Sequence, residues 1–239
     1  PEISKVKAKH ESEEIAAAFD EIVKSIIPAG SHEPTTATDD ELSPTQAATQ
    51  KAVGSHSTES STPLLYREDI DRLLTDSKTY NEQIAYQQNL IADFSLSALD
   101  LTRYGIWNEL YGYIEIPSLD LTLPIYLGSS GVNMSYGVTH LMGTSLPIGG
   151  KSTHAVIAGH TGYIGKTFFD NLPKLRPGDS VYITNYWGTL QYTVISGKNI
   201  GPTDANDLYV QSGKDLLTLL TCADYGHNRY QVQCERKYN

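Results

Sequence analysis

Leu216-Leu217-Thr218-Leu219-Leu220-Thr221-Cys222 is an apolar run that ends on a cysteine. Ala223-Asp224-Tyr225-Gly226-His227-Asn228 follows as a short polar stretch, and Arg229-Tyr230-Gln231-Val232-Gln233-Cys234 then alternates in the manner of a strand. Two such runs joined by a short Gly-containing turn read as a hairpin. It would set the Cys222 thiol against the Arg229 guanidinium across its mouth. That pair needs a base or proton donor from elsewhere in the chain before it can do chemistry.

Strand signals run back from this hairpin to Gly105. Tyr111–Pro117 and Leu121–Leu127 read as two strands around Ser118-Leu119-Asp120, with Pro117 and Pro124 marking strand ends or edges. Gly131–His140 has room for a short helix, and Gly143–Gly150 is a loop. His154-Ala155-Val156-Ile157-Ala158-Gly159-His160 reads as a buried strand ending on His160, and Phe168–Leu172 as a helical turn. Ser180–Tyr186 and Thr189–Ile195 form strands around Trp187-Gly188, and Gly201–Tyr209 is a polar connection. About eight strands in about 130 residues point to a mainly β fold, a closed or nearly closed barrel.

The N-terminal part has a different period. Ile15, Phe19, Ile22, Val23 and Ile26 form one helical stripe within residues 11–27, and Pro28-Ala29-Gly30 stops it. Residues 28–63 are dominated by Ser, Thr, Pro, Ala and Gln and read as a linker without a core, carrying solvated His32 and His56. Helical spacing returns over residues 66–92, through Ile70, Leu73, Leu74, Tyr80, Ile84 and Leu90, with another turn or two at 95–104. Three units result: an N-terminal helix plus linker (1–63), a helical region (64–104) and a barrel (105–239).

The chain of 239 residues carries a formal charge of −10 and a pI of about 5.1. That balance disfavours nucleic acid and anionic membrane surfaces as partners. It lacks 18 consecutive apolar residues, so any membrane contact is expected through a segment absent from this chain. The start at Pro1, without Met, is read as a chain cut from a longer protein or processed. No metal-ligand spacing appears, so neither a metal nor another cofactor is expected. The two cysteines are not expected to pair. Cys234 lies five residues beyond Arg229, roughly 16 Å along the strand, and a disulfide needs Cα atoms within about 7 Å. Cys234 is read as a small core residue.

His160, Cys222 and Arg229 stand at strand ends beside polar loops. A thiolate needs a nearby cation or base, and the oxyanion it creates needs donors. His can pair with the thiol and later protonate a leaving amine, while Arg stays charged and offers several donors. The set makes acyl transfer through a thioester chemically sensible, beside the plainer reading that a lone His and a lone Cys are structural. Thr221, beside Cys222, is read as lining the site and touching substrate, whereas His140 and His154 are read as structural and His227 as an exposed turn residue.

From Tyr111 to Arg236 the chain resembles the sortases, cysteine transpeptidases of Gram-positive cell surfaces. Thr218-Leu219-Leu220-Thr221-Cys222 is similar to their TLxTC signature, Ala158-Gly159-His160-Thr161-Gly162 to the segment of their catalytic His, and Arg229 to their catalytic Arg. Tyr113–Pro117, Leu123–Tyr126, Gly143–Gly150, Thr153–Val156, Phe169–Leu172 with Gly178-Asp179, and the helical region around Tyr80-Asn81 resemble class C, the pilin-polymerising sortases. The resemblance implies an eight-stranded β-barrel with N-terminal helices. It also implies cleavage between Thr and Gly of an LPXTG-like sorting signal, with Cys222 as nucleophile, His160 as acid and base, and Arg229 holding substrate and oxyanion. A pilin Lys or a cell-wall precursor amine would accept the acyl group at the cell surface.

Two features depart from class C. Its lid carries an Asp-Pro-aromatic tripeptide that is absent here; Asp93-Phe94 is the candidate lid without its Pro, against the plainer reading of a helix-end Asp and a packing Phe. The six residues between Cys222 and Arg229 also make a shorter loop than the class usually has. The rival readings are a housekeeping-type sortase that anchors proteins to the cell wall, a cysteine protease that releases its acyl group to water, and an inert surface module that binds a peptide edge-on.

Overall fold

The computed structural model describes residues 2–28, 65–90 and 93–238. The linker reading therefore falls, from residue 29 onward, outside the described residues, together with His32 and His56. Two helices, α1 (Glu2–Lys24) and α2 (Arg67–Tyr86), precede the sheet. The strands are β1 (Leu110–Ile116), β2 (Leu121–Leu127), β3 (Val138–His140), β4 (Thr153–Ala158), β5 (Ser180–Asn185), β6 (Gly188–Ile200), β7 (Asp215–Ala223) and β8 (Asn228–Arg236), with a short α3 (Gly131–Tyr136) between β2 and β3. They close into an eight-stranded barrel in the order β1-β2-β3-β4-β7-β8-β6-β5. The pairs β2–β3 and β4–β7 are parallel and the others antiparallel.

Alternation along each strand builds two faces. Ile114 and Ile116, Leu123 and Ile125, Ala155 and Ile157, Leu217 and Leu219, and Val232 and Cys234 point inward and form the barrel core. Each fully buried Leu or Ile contributes about 1.5–3 kcal/mol by leaving water. Both cysteines are free; Cys234 is wholly buried opposite Leu217, and burial pushes its thiol pKa up. The helices cover the outer face of β1 and β2, where Phe19, Ile70 and Leu73 pack with Tyr111, Tyr113 and Tyr126. Asn81 of α2 donates to Leu146 O and accepts from Leu146 N, tying the helix to the 143–150 loop. Pro124 sits mid-strand, at a level of β2 that β3 does not reach, so its missing N–H breaks no ladder there.

Several boundaries differ from the sequence reading. Helix α1 starts at Glu2 rather than near residue 11 and ends at Lys24; the chain then pairs Ile27 with Tyr66 in parallel. Helix α2 ends at Tyr86, so Asn89 and Leu90 leave the helix. Gln88 instead donates to Leu208 O and accepts from Val210 N, and so holds the β6–β7 connection. The turn placed at Phe168–Leu172 lies at Leu172–Lys174, and β6 runs to Ile200 because β8 pairs with it from Tyr192 onward. β4 ends at Ala158, two residues before His160. At the start of β7, buried Asp215 accepts from Gly150 N, Tyr192 OH and Tyr238 OH. That closure is at the opposite end of β7 from Cys222. Among the described residues no helix is long and apolar enough to cross a membrane.

Candidate active site

The ladder between β7 and β8 sets Cys222 directly opposite Arg229. Since Leu217 and Leu219 face the core, alternation turns Leu220 and Cys222 to the outside of the barrel. Cys222 is exposed and Arg229 half-buried. Arg229 Nη1 donates to Gly226 O and Asn228 O, both at 3.0 Å. Among the described residues no carboxylate forms a salt bridge with Arg229. The turn carbonyls thus aim the guanidinium.

His160 arrives from the neighbouring strand. Beyond the end of β4, Gly159 N donates to Leu220 O at 3.0 Å, which carries the chain alongside β7 for one more residue. Gly159 has no room for a side chain: a Cβ there would stand 2.8 Å from the Phe169 ring and 2.9 Å from Val138. Half-buried His160 stacks on Tyr163, with ring centroids 5.2 Å apart and planes at 27°, and meets Phe168 at 6.3 Å.

His160, Cys222 and Arg229 line one cavity of about 650 Å³ on the outer barrel face. Leu90, Leu141, Leu208 and Leu220 supply its apolar wall, and Asp204 is its one carboxylate among the described lining residues. Thr221 also lines it but is 4% exposed. Its hydroxyl donates to Gly159 O at 2.7 Å and lies 2.8 Å from Thr161 Oγ1. Both chain neighbours of His160 are therefore tied to the chain neighbour of Cys222. Thr221 thus clasps the two strand ends from within the cavity lining, where the sequence reading placed it.

Of the lid pair, Phe94 lines the cavity and Asp93 does not. Phe94 O accepts from Ser129 N at 2.8 Å, and the Asp93 carboxylate accepts from Ser95 N and Ser95 Oγ, which hold its pKa below the usual range. Leu90, Leu141, Asp204 and Leu208 were missed as site residues, because they come from loops whose docking no local pattern encodes. His140 and His154 lie away from the cavity lining. Fully buried His140 places Nε2 3.1 Å from Thr144 O and from Ser145 O, and burial lowers its pKa to about 4. His154 bridges Tyr209 O and Thr218 Oγ1, and burial lowers its pKa too.

A closed mixed barrel with a cysteine, an arginine and a histidine gathered in one outer cleft defines a known class. Residues 114–237 match the Sortase domain, and the chain belongs to the sortase family. It is 35% identical over 122 residues to sortase A of Staphylococcus aureus, which is 49% of this chain and 57% of that protein. The chain spans about half the length of the curated relatives it matches. Sortase C1 of GBS Pilus Island 1 matches with a TM-score of 0.70 and 33% identity, over 95% of this chain and 93% of the other. The lid-mutant of Streptococcus agalactiae sortase C1 matches with a TM-score of 0.63 and 37% identity, over 72% and 90%. The fold is that of the class C sortases.

Proposed function

We propose that this chain is a cysteine transpeptidase of the class C type, working on sorting signals of LPXTG form. The observation that carries the reading is the direct opposition of Cys222 and Arg229 in a cleft that also holds His160. The Cys222 thiolate adds to the carbonyl carbon of the Thr–Gly bond, and the Arg229 donors stabilise the oxyanion that forms. As the C–N bond breaks, His160 gives its proton to the leaving glycine amine. A thioester joins the substrate threonine to Sγ. An incoming amine then attacks that thioester, the C–S bond breaks, and the amine passes its proton to His160, which leaves an amide and restores the Cys222 thiolate beside protonated His160.

The pilin role is supported by the match to the GBS Pilus Island 1 enzyme, which extends over 95% of this chain and so takes in the N-terminal helices. On this reading the acceptor is a pilin Lys, the place of work is the Gram-positive cell surface, and residues 105–239 are the catalytic unit with 64–104 as its helical cover. Phe94 in the cavity lining supports a lid of reduced form. The test is a labelled Leu-Pro-Glu-Thr-Gly peptide given with and without a Lys-bearing peptide. An amide product that needs Cys222 supports the reading. Hydrolysis indifferent to the amine makes the protein a protease, and cleavage that survives Cys222→Ala removes the thioester.

A further inference from the structure

Among the described residues no hydrogen bond to a ring nitrogen orients the His160 imidazole; ring contacts do so instead. Those contacts come from the loop that follows it, residues 161–168. Tyr163 stacks on the imidazole and meets Phe168 edge-on at 5.5 Å and 71°. Phe168 is 1% exposed and anchored in the barrel core. Where Tyr163 sits depends on how the loop is closed.

The closure centres on one side chain. Half-buried Asp170 accepts from Gly162 N at 2.8 Å through Oδ1 and from Phe168 N at 3.0 Å through Oδ2. Its two oxygens join the two ends of the loop. Just outside them, Phe169 N donates to His160 O at 3.0 Å. Gly162 and Gly165 have φ of +72° and +79°, the left-handed region that glycine adopts without strain, so the chain can turn back within so few residues. Lys166 Nζ donates to Ser135 O and lies over the Tyr136 ring, which fastens the loop laterally. An ionised carboxylate offers two acceptor oxygens and no donor, which matches two converging N–H groups.

We propose that Asp170 is a positioning residue for His160: by closing loop 161–168 it holds the Tyr163 face against the imidazole and fixes the ring's direction toward the cleft. The proposal rests on the transpeptidase reading, because only there does the direction of that ring set a rate. Asp170 is not among the residues that line the cavity, and it acts through the loop.

The test uses the full chain, the Leu-Pro-Glu-Thr-Gly peptide with a Lys-bearing acceptor peptide, and the ring resonances of labelled His160. Asp170→Ala is expected to lower kcat about 10- to 100-fold while KM moves less than about twofold, as misorientation of a catalytic group does. Asp170→Asn keeps one acceptor oxygen and should fall between. Tyr163→Leu should shift the His160 resonance as Asp170→Ala does, and Tyr163→Phe should restore both resonance and rate. Should Asp170→Ala fail to fold, Asp170→Asn and Tyr163→Leu carry the same comparison. An unmoved His160 resonance in the Asp170 variants overturns the proposal whatever happens to activity. So does a moved resonance with unchanged kcat. If the unaltered chain turns over none of these peptides, the transpeptidase reading fails on its own, and the resonance alone decides whether Asp170 sets the ring.

Discussion

Cys222 and Arg229 are direct partners in the β7–β8 ladder, one pair before the turn that joins the strands. Their Cα positions are set by strand register, and the Arg229 guanidinium is further aimed by the carbonyls of Gly226 and Asn228. Such a donor is held before the reaction begins and need not reorganise as charge develops. Arg229→Ala should lower kcat/KM for the sorting peptide by about 100- to 1,000-fold, the cost of losing a donor to an oxyanion. Arg229→Lys keeps the charge and loses the planar fork, and should stay at least about tenfold below the unaltered chain. A lysine variant with normal turnover would remove the oxyanion role.

Thr221 tests the clasp between the two strands that carry His160 and Cys222. Thr221→Val keeps the shape and leaves Gly159 O without its donor, which should cost about 1–3 kcal/mol of stability. The same change should lower kcat about tenfold through misplacement of His160. Thr221→Ser keeps the hydroxyl and should recover most of both. Thermal unfolding and steady-state kinetics on the same samples check the pair. A valine variant with raised KM and unchanged kcat would favour substrate contact over the clasp.

Phe94 lines the cleft that also holds Cys222, whereas the Asp93 carboxylate turns to Ser95. If the segment screens the thiol, Asp93→Ala with Phe94→Ala should raise the rate at which a small thiol reagent labels Cys222 by about two- to tenfold, since labelling follows access to the thiolate. Phe94→Ala alone should account for most of the rise. An unchanged labelling rate would discard the lid.

His140 makes stability depend on pH. Its pKa is about 4 in the folded chain against an ordinary 6.5. Between those values the unfolded chain binds a proton that the folded chain refuses, so stability falls as pH drops from about 6.5 to about 4. The shift corresponds to about 3 kcal/mol from this group. His154 is lowered in the same direction and adds to the slope. In His140→Gln, which keeps a donor for the carbonyls of Thr144 and Ser145, denaturant midpoints over this window should vary less with pH. An equal slope in the variant would mean that other groups carry it.

The barrel was legible in the sequence, and so was the placing of His160, Cys222 and Arg229 at strand ends, because each rests on local pattern. The run Leu216–Cys222, the turn and Arg229 fix register within one hairpin, and His160 follows a buried apolar strand. What was illegible depends on distant segments meeting. Leu90 and Leu208 line the cleft where Gln88, past the end of the helix, bonds the β6–β7 connection, and nothing in residues 66–92 announces that. The early start of α1 escaped notice because residues 2–10, rich in Lys, show no apolar stripe, although Lys9 pairs with distant Asp120. The place of Thr221 in the cavity lining follows from its neighbour Cys222, but its clasp does not. Its hydroxyl partners on Gly159 and Thr161 belong to another strand end, invisible without the parallel β4–β7 pairing.

The most direct test of the whole account is the mass of Cys222 after the chain is mixed with a Leu-Pro-Glu-Thr-Gly peptide and quenched in acid before an amine is added. The account predicts a single adduct, equal to the peptide up to its threonine, attached at Cys222, released by a Lys-bearing peptide with formation of an amide, and absent from Cys222→Ala. Peptide cleaved at Thr–Gly with no adduct on Cys222, or with cleavage undiminished in Cys222→Ala, would contradict it.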